Sequence, residues 1–191
     1  MIDEKSTLAD VCFDVSAALE SKGIVCVLTG GSAASLYAPE AYMSRDADFI
    51  LEADDTLEDV GLALRATGFE RVGRSRIFSH PRTEFTLDFP KGPLAVGGDY
   101  VRETHVVRRG DLRLRILTPE DCVRDRLAHY YHWNDYTALN AAVAVAAMNA
   151  GRVHYRLLRD WTRRESPELM AKFAEFERRL RDLGRSDGPL R

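Results

Sequence analysis

Three aspartates sit where a carboxylate needs a reason. Asp46 and Asp48 lie two apart in the segment Asp46 to Leu51 (DADFIL). Its alternation of polar and apolar residues, turning apolar at the end, predicts a half-buried strand. Residues two apart on a strand point to the same face. Asp88 interrupts a second apolar strand between Leu87 and Phe89, and a buried charge without a partner is costly. A divalent cation would be such a partner. Hard ions such as Mg2+ take carboxylate oxygens, and two of them about 3.5–4 Å apart can clamp the attacking and leaving oxygens of a phosphoryl transfer. Taken singly, the Asp46 and Asp48 pair also reads as an exposed strand face, and Asp88 as a strand-end acid paired with an arginine.

A second feature lies upstream. Gly30-Gly31-Ser32 follows the apolar run Ile24 to Leu28 (IVCVL) and opens a short helix through Tyr37, closed by Pro39. Glycines let a phosphate approach the backbone, and a helix N-terminus favours anions. Ser32 is a residue type that caps helices. Alone, Gly-Gly-Ser is also a plain turn; beside the acids it makes an anion cradle next to a cation-binding strand.

The remaining pattern supplies the elements that must position these groups. Leu8 to Ser21 carries apolar residues at helical spacing and stops at Gly23. Thr56 with Asp59 forms a capping box before a helix that runs to about Ala66, with Gly68 as its stop. Phe69 to Val72 and Arg76 to Ser79 predict a small hairpin, Thr83 to Phe89 a strand, Pro90 to Gly98 a loop, and His105 to Arg108 with Leu112 to Leu117 a second hairpin about Arg109-Gly110. Thr118-Pro119-Glu120-Asp121 is a strong helix start. From there the pattern is helical to Leu183, broken at Gly151, restarted at Ser166-Pro167-Glu168 and ended by Gly184, with frayed residues beyond. The expected class is α/β: a mixed, twisted sheet with flanking helices that carries the acids at one edge, followed by a C-terminal helical bundle. The expected division is 1–117 and 118–191.

Composition narrows the partners. The chain has 191 residues, 45% hydrophobic and 30% charged, with a net charge of −3. That balance argues against a domain-wide basic field for nucleic acid, although arginines are unevenly placed. No apolar run approaches the roughly 20 residues of a membrane span. Cys12, Cys26 and Cys122 have neither metal spacing nor a disulfide framework; they read as buried thiols in a cytoplasmic protein.

Together, Leu28-Thr29-Gly30-Gly31-Ser32, thirteen further residues, Asp46-Ala47-Asp48-Phe49 and the later Thr86-Leu87-Asp88-Phe89 resemble the signature of polymerase-beta-like nucleotidyltransferases. The resemblance implies a nucleotidyltransferase-like mixed sheet and the transfer of a nucleoside monophosphate from an NTP to an acceptor hydroxyl. It implies two Mg2+ ions held by Asp46, Asp48 and Asp88, with Asp88 on the acceptor side. Gly30, Gly31 and Ser32 would hold the triphosphate, with Arg45, just before the acid pair, among the nucleotide-binding residues. Leu117-Thr118-Pro119-Glu120-Asp121, Asp125-Arg126-Leu127 and Trp133-Asn134-Asp135 are similar to the helical half of small bacterial nucleotidyltransferases of the abortive-infection toxin type. There a lysine stands at the place of Arg126 and an aspartate near that of Asp135. This implies that Arg126 faces the nucleotide and that Asp135 orients it. The acceptor stays open between the tRNA 3′ end, a small molecule of antibiotic type and a protein. A non-catalytic binding module of a toxin–antitoxin-like system is the alternative from another class.

Other residues read both ways. Arg74 and Arg76 are either nucleotide contacts or solvated edge charges, and Lys91 a phosphate contact or a loop lysine. Arg108, Arg109, Arg113 and Arg115 form a basic hairpin that either aids solubility or touches nucleic acid. The run His129 to Trp133 is aromatic; it suits interhelical packing or base stacking, and no third ligand makes His129 and His132 a zinc site.

Overall fold

The computed structural model describes residues 2–186. In chain order the helices are α1 (Leu8–Glu20), α2 (Gly30–Tyr37), α3 (Leu57–Leu64), α4 (Pro119–Trp133), α5 (Tyr136–Met148), α6 (Tyr155–Glu165) and α7 (Met170–Ser186). The strands are β1 (Cys26–Thr29), β2 (Asp46–Leu51), β3 (Glu70–Arg71), β4 (Ile77–Ser79), β5 (Thr86–Asp88), β6 (Ala95–Val96), β7 (Asp99–Tyr100), β8 (Thr104–Arg109) and β9 (Leu112–Leu117). Seven strands form one mixed sheet in the order β3-β4-β5-β2-β1-β9-β8, with β2/β5 and β1/β9 parallel and the other pairs antiparallel. β6 and β7 form a separate ribbon. This is the expected class of a mixed sheet with flanking helices and C-terminal helices. The acids, however, stand on the interior strands β2 and β5 rather than on an edge strand.

Local chemistry sets the elements. The Thr7/Asp10 and Thr56/Asp59 capping boxes start α1 and α3. Thr118 caps α4 with Pro119 in the first turn. Alternation along β2 and β5 sends Ala47, Phe49 and Leu87 into the core and their neighbours to the other face. Phe49 and Phe78 both pack on Phe89, ring centroids 5.8 and 5.4 Å apart, beneath the acid-bearing strands. α1 packs on β9 and α3; α2 packs on β2 and also on α4 and α5. The core therefore runs without interruption from the sheet into α5, α6 and α7, where Leu139, Trp161, Phe173 and Phe176 are buried. All three cysteines are buried and free.

Several expectations are corrected. Residues 90–98, read as a loop, contain β6 and lead into β7. The long helical stretch after Pro119 breaks at Asn134, which turns left-handed (φ 53°), and Asp135 caps α5 through the amides of Thr137 and Ala138. α2 begins at Gly30, so Ser32 lies inside it rather than capping it. α7 passes through Gly184 to Ser186; the rest of the expected frayed end, 187–191, lies outside the described residues. No helix among those described is long and apolar enough to cross a membrane.

Candidate active site

Parallel pairing of β2 with β5 sets Asp46 opposite Thr86 and Asp48 opposite Asp88. Two carboxylates thus stand side by side in the middle of the sheet although 40 residues separate them in the chain. They line a cleft of about 320 Å3. Its floor is Thr29, Gly30, Asp48 and Asp88. One wall comes from α4 with Asp125, Arg126 and His129, and the other from Arg76 and the segment Pro90 to Ala95.

The glycine turn is shaped around Asp48. Gly30 has φ +65°, and a Cβ there would lie 2.1 Å from Asp48 Oδ2. No other residue fits: the backbone is left-handed and the space belongs to the carboxylate. The Ser32 hydroxyl, fully buried, donates to the Thr29 carbonyl at 2.8 Å and accepts the Asp48 amide at 3.1 Å. It is committed to joining α2 to β2. Ser35 makes a second tie, donating to the Gly31 carbonyl and accepting the Ser44 amide at 2.7 Å. β2, which carries Asp46 and Asp48, is thereby fixed against α2.

The electrostatics of the cleft are unbalanced. Burial pushes Asp48 up to about 6; Arg126 opposes the shift, while Asp88, Asp125 and Asp46 add to it. Arg76 Nε lies 2.7 Å from Asp88 Oδ1, yet its N–H is not aimed at that oxygen, which stays buried with no hydrogen-bond donor. Arg126 is buried and donates from Nε and Nη2 to Asp125 Oδ2 at 2.9 and 2.6 Å. Burial works against its charge, but Asp125 outweighs this and raises it. His129, half-buried, is shifted downward by burial first and then by Arg126.

The other expected site residues fall as follows. Asp46 is exposed and accepts a short hydrogen bond from the Thr86 hydroxyl through Oδ1. Arg45 points to solvent, 3.6 Å from Glu84. Gly31 starts α2 against Tyr42 and Ser44. Asp135 caps α5, and it is Asp125 that holds Arg126. Among the described residues no three carboxylate, imidazole or thiol groups lie close enough to enclose an ion as they stand. Asp48 and Asp88 nevertheless fit a hard divalent ion. Both are oxygen donors, they stand side by side, and burial makes negative charge costly at Asp48.

Three wall residues carry more than the sequence suggested. Arg76, more than half exposed, is the ion-pair neighbour of Asp88 at the end of β5, the arginine-paired reading offered for that acid. Asp125 and His129 stand four apart on α4 and share one side of it, opposite the buried Val123 and Leu127. Polar residues at i and i+4 opposite such a pair were the available signal.

No protein-family profile matches the sequence, and no curated protein matches it. Solved structures do match in fold. An antigenic nucleotidyltransferase-like protein from Paracoccidioides brasiliensis superposes with a TM-score of 0.60 at 13% identity, over 88% of this chain and 93% of that one. The solution structure of the antibiotic-resistance factor ANT(2″)-Ia superposes with a TM-score of 0.53 at 12% identity, over 84% and 94%. With its two central acids beside a glycine turn, the chain has the nucleotidyltransferase-like fold.

Proposed function

We propose that the chain is a Mg2+-dependent nucleotidyltransferase that moves a nucleoside monophosphate from an NTP to a hydroxyl of a small polar acceptor and releases pyrophosphate. The observation that carries this is the pairing of Asp48 with Asp88 in one cleft beside Gly30, with Asp48 pushed up to about 6 and Asp88 answered, among the described residues, by the ion pair to Arg76 alone. A bound divalent ion would supply charge neutralisation at the α-phosphate. Asp48 and Asp88 would hold it, with Asp46 contributing the oxygen that Thr86 does not engage. The amides at Gly30 and Gly31 face the triphosphate at the start of α2. Arg126, kept in place by Asp125, meets developing negative charge. The acceptor oxygen attacks the α-phosphorus, the bond to the β-phosphate bridging oxygen breaks, and Asp88 takes the acceptor proton.

A small acceptor is favoured over the tRNA 3′ end of the toxin-type reading by the state of the basic hairpin. Arg109 is paired with Asp10 and Arg113 with Glu20, each at 2.6 Å. Half of the cations that would meet an RNA backbone are already answered within the chain. The fold likeness to an antibiotic-resistance factor points the same way by analogy.

The test is label transfer from each α-32P-NTP with Mg2+ to three acceptor pools: amino sugars, total tRNA and protein. Label on amino sugars with wild type, lost in Asp48→Asn, is expected. Label on tRNA or protein alone would reassign the acceptor. No label in any pool would leave the non-catalytic binding module as the standing reading.

A further inference from the structure

The aromatic run at the end of α4 divides into two groups. Tyr130 and Tyr131 are buried, and Tyr131 stacks on Trp161 and shares a hydrogen bond with Thr162. Trp133 is 68% exposed. Its ring lies 4.9 Å from that of His129, and His129 lines the acid cleft. Trp133 is not itself part of the cleft lining; it meets the cleft through His129, and a large exposed aromatic so placed offers a flat face to a ligand.

The order of residues along α4 says which part of a ligand it meets. Arg126 is the α4 cation that acts on Asp48. At a rise of 1.5 Å per residue, His129 stands about 4.5 Å and Trp133 about 10.5 Å farther along the helix axis. A phosphate seated between the start of α2 and Arg126 has its sugar beside His129 and its base within reach of Trp133. The opposite wall, Arg76 and Pro90, with Asp88 on the floor beside it, is left for the hydroxyl that attacks. We propose that Trp133, backed by His129, is the stacking platform for the nucleobase of the NTP. This rests on the nucleotidyltransferase reading above and extends it to base recognition. An aromatic face accepts any base, so the platform sets affinity while discriminating little among the four nucleotides.

The chain has two tryptophans, and Trp161 is buried, so the solvent-exposed indole emission belongs to Trp133. The experiment titrates the full chain, with Mg2+, against a non-hydrolysable ATP analogue and against inorganic tripolyphosphate. Affinity is followed by calorimetry and the indole by fluorescence. The analogue should quench the exposed emission and tripolyphosphate should not. Trp133→Ala should weaken analogue binding about tenfold, leave tripolyphosphate binding unchanged, and raise KM for NTP without lowering kcat. Trp133→Phe should restore most of the affinity. Analogue binding by Trp133→Ala equal to wild type, or an equal loss for both ligands, would overturn the platform while the transfer reading stands. If wild type binds neither ligand, the nucleotide reading falls and takes the platform with it.

Discussion

The basic hairpin and the acid cleft hold charge in opposite ways. On β8 and β9, Arg109 and Arg113 meet Asp10 and Glu20 of α1 in half-exposed ion pairs, and Arg109 also covers the Phe13 ring. Asp10 itself is held low, first by the Thr7 hydroxyl and amide and then by Arg109. Both of these arginines are answered within the chain. In the cleft, Asp48 is held above its ordinary value, and an oxygen of Asp88 lacks a donor although an arginine lies beside it. Two arginines line the cleft, Arg76 beside Asp88 and Arg126 held by Asp125, and together they leave Asp48 above its ordinary value. A carboxylate held above its ordinary value in a cleft is the kind of perturbed group that gathers at functional sites.

Replacing Asp48 gives the largest effect and separates the two roles of the charge. Asp48→Asn should lower transfer by about two to three orders of magnitude, measured as single-turnover rates with Mg2+. The same variant should be more stable than wild type when chelator removes metal. An acid raised to about 6 when folded, from 3.8, binds its proton more tightly folded than unfolded. Wild-type stability therefore falls as pH climbs from about 4 to about 6 and stays lower above that. Denaturation in EDTA should show a gain on the order of 2 kcal/mol for Asp48→Asn at pH 8 that vanishes below pH 4. A pH-independent difference would count against the raised Asp48.

Gly30→Ala comes next. The added methyl meets Asp48 Oδ2 and must hold a left-handed backbone, which should cost about 1–3 kcal/mol and displace the carboxylate; chemical denaturation and activity should fall together. Ser32→Ala removes one hydroxyl that serves both the Thr29 carbonyl and the Asp48 amide. A loss of about 1–3 kcal/mol is expected, with KM for NTP changing less than kcat, because the hydroxyl positions the acid rather than the phosphate. At the other end, Arg113→Ala should change stability by less than about 0.5 kcal/mol and transfer not at all. A large loss of transfer there would bring the hairpin into the site and revive an RNA acceptor.

The acids and the glycine turn were legible because each breaks a local rule: a carboxylate in an apolar strand, a double glycine between strand and helix. β2 was legible in full because its alternation shows which face each residue takes. The ribbon of β6 and β7 was not, because two residues per strand leave no period to read. Nor was the partner of Arg126. The resemblance pointed to Asp135, but Asn134 turns the chain there and commits Asp135 to the start of α5, while the adjacent Asp125 reaches the guanidinium. The approach of Arg76 to Asp88 follows from the β4–β5 register, in which Ile77 opposes Asp88, and no local pattern states a register between strands.

One hydroxyl gives the molecule a stiff linkage. Through Ser32 the first turn of α2 and the amide of Asp48 share a single atom, with no loop between them to absorb slack. A shift of the Thr29 carbonyl or of that first turn therefore carries the Asp48 backbone with it.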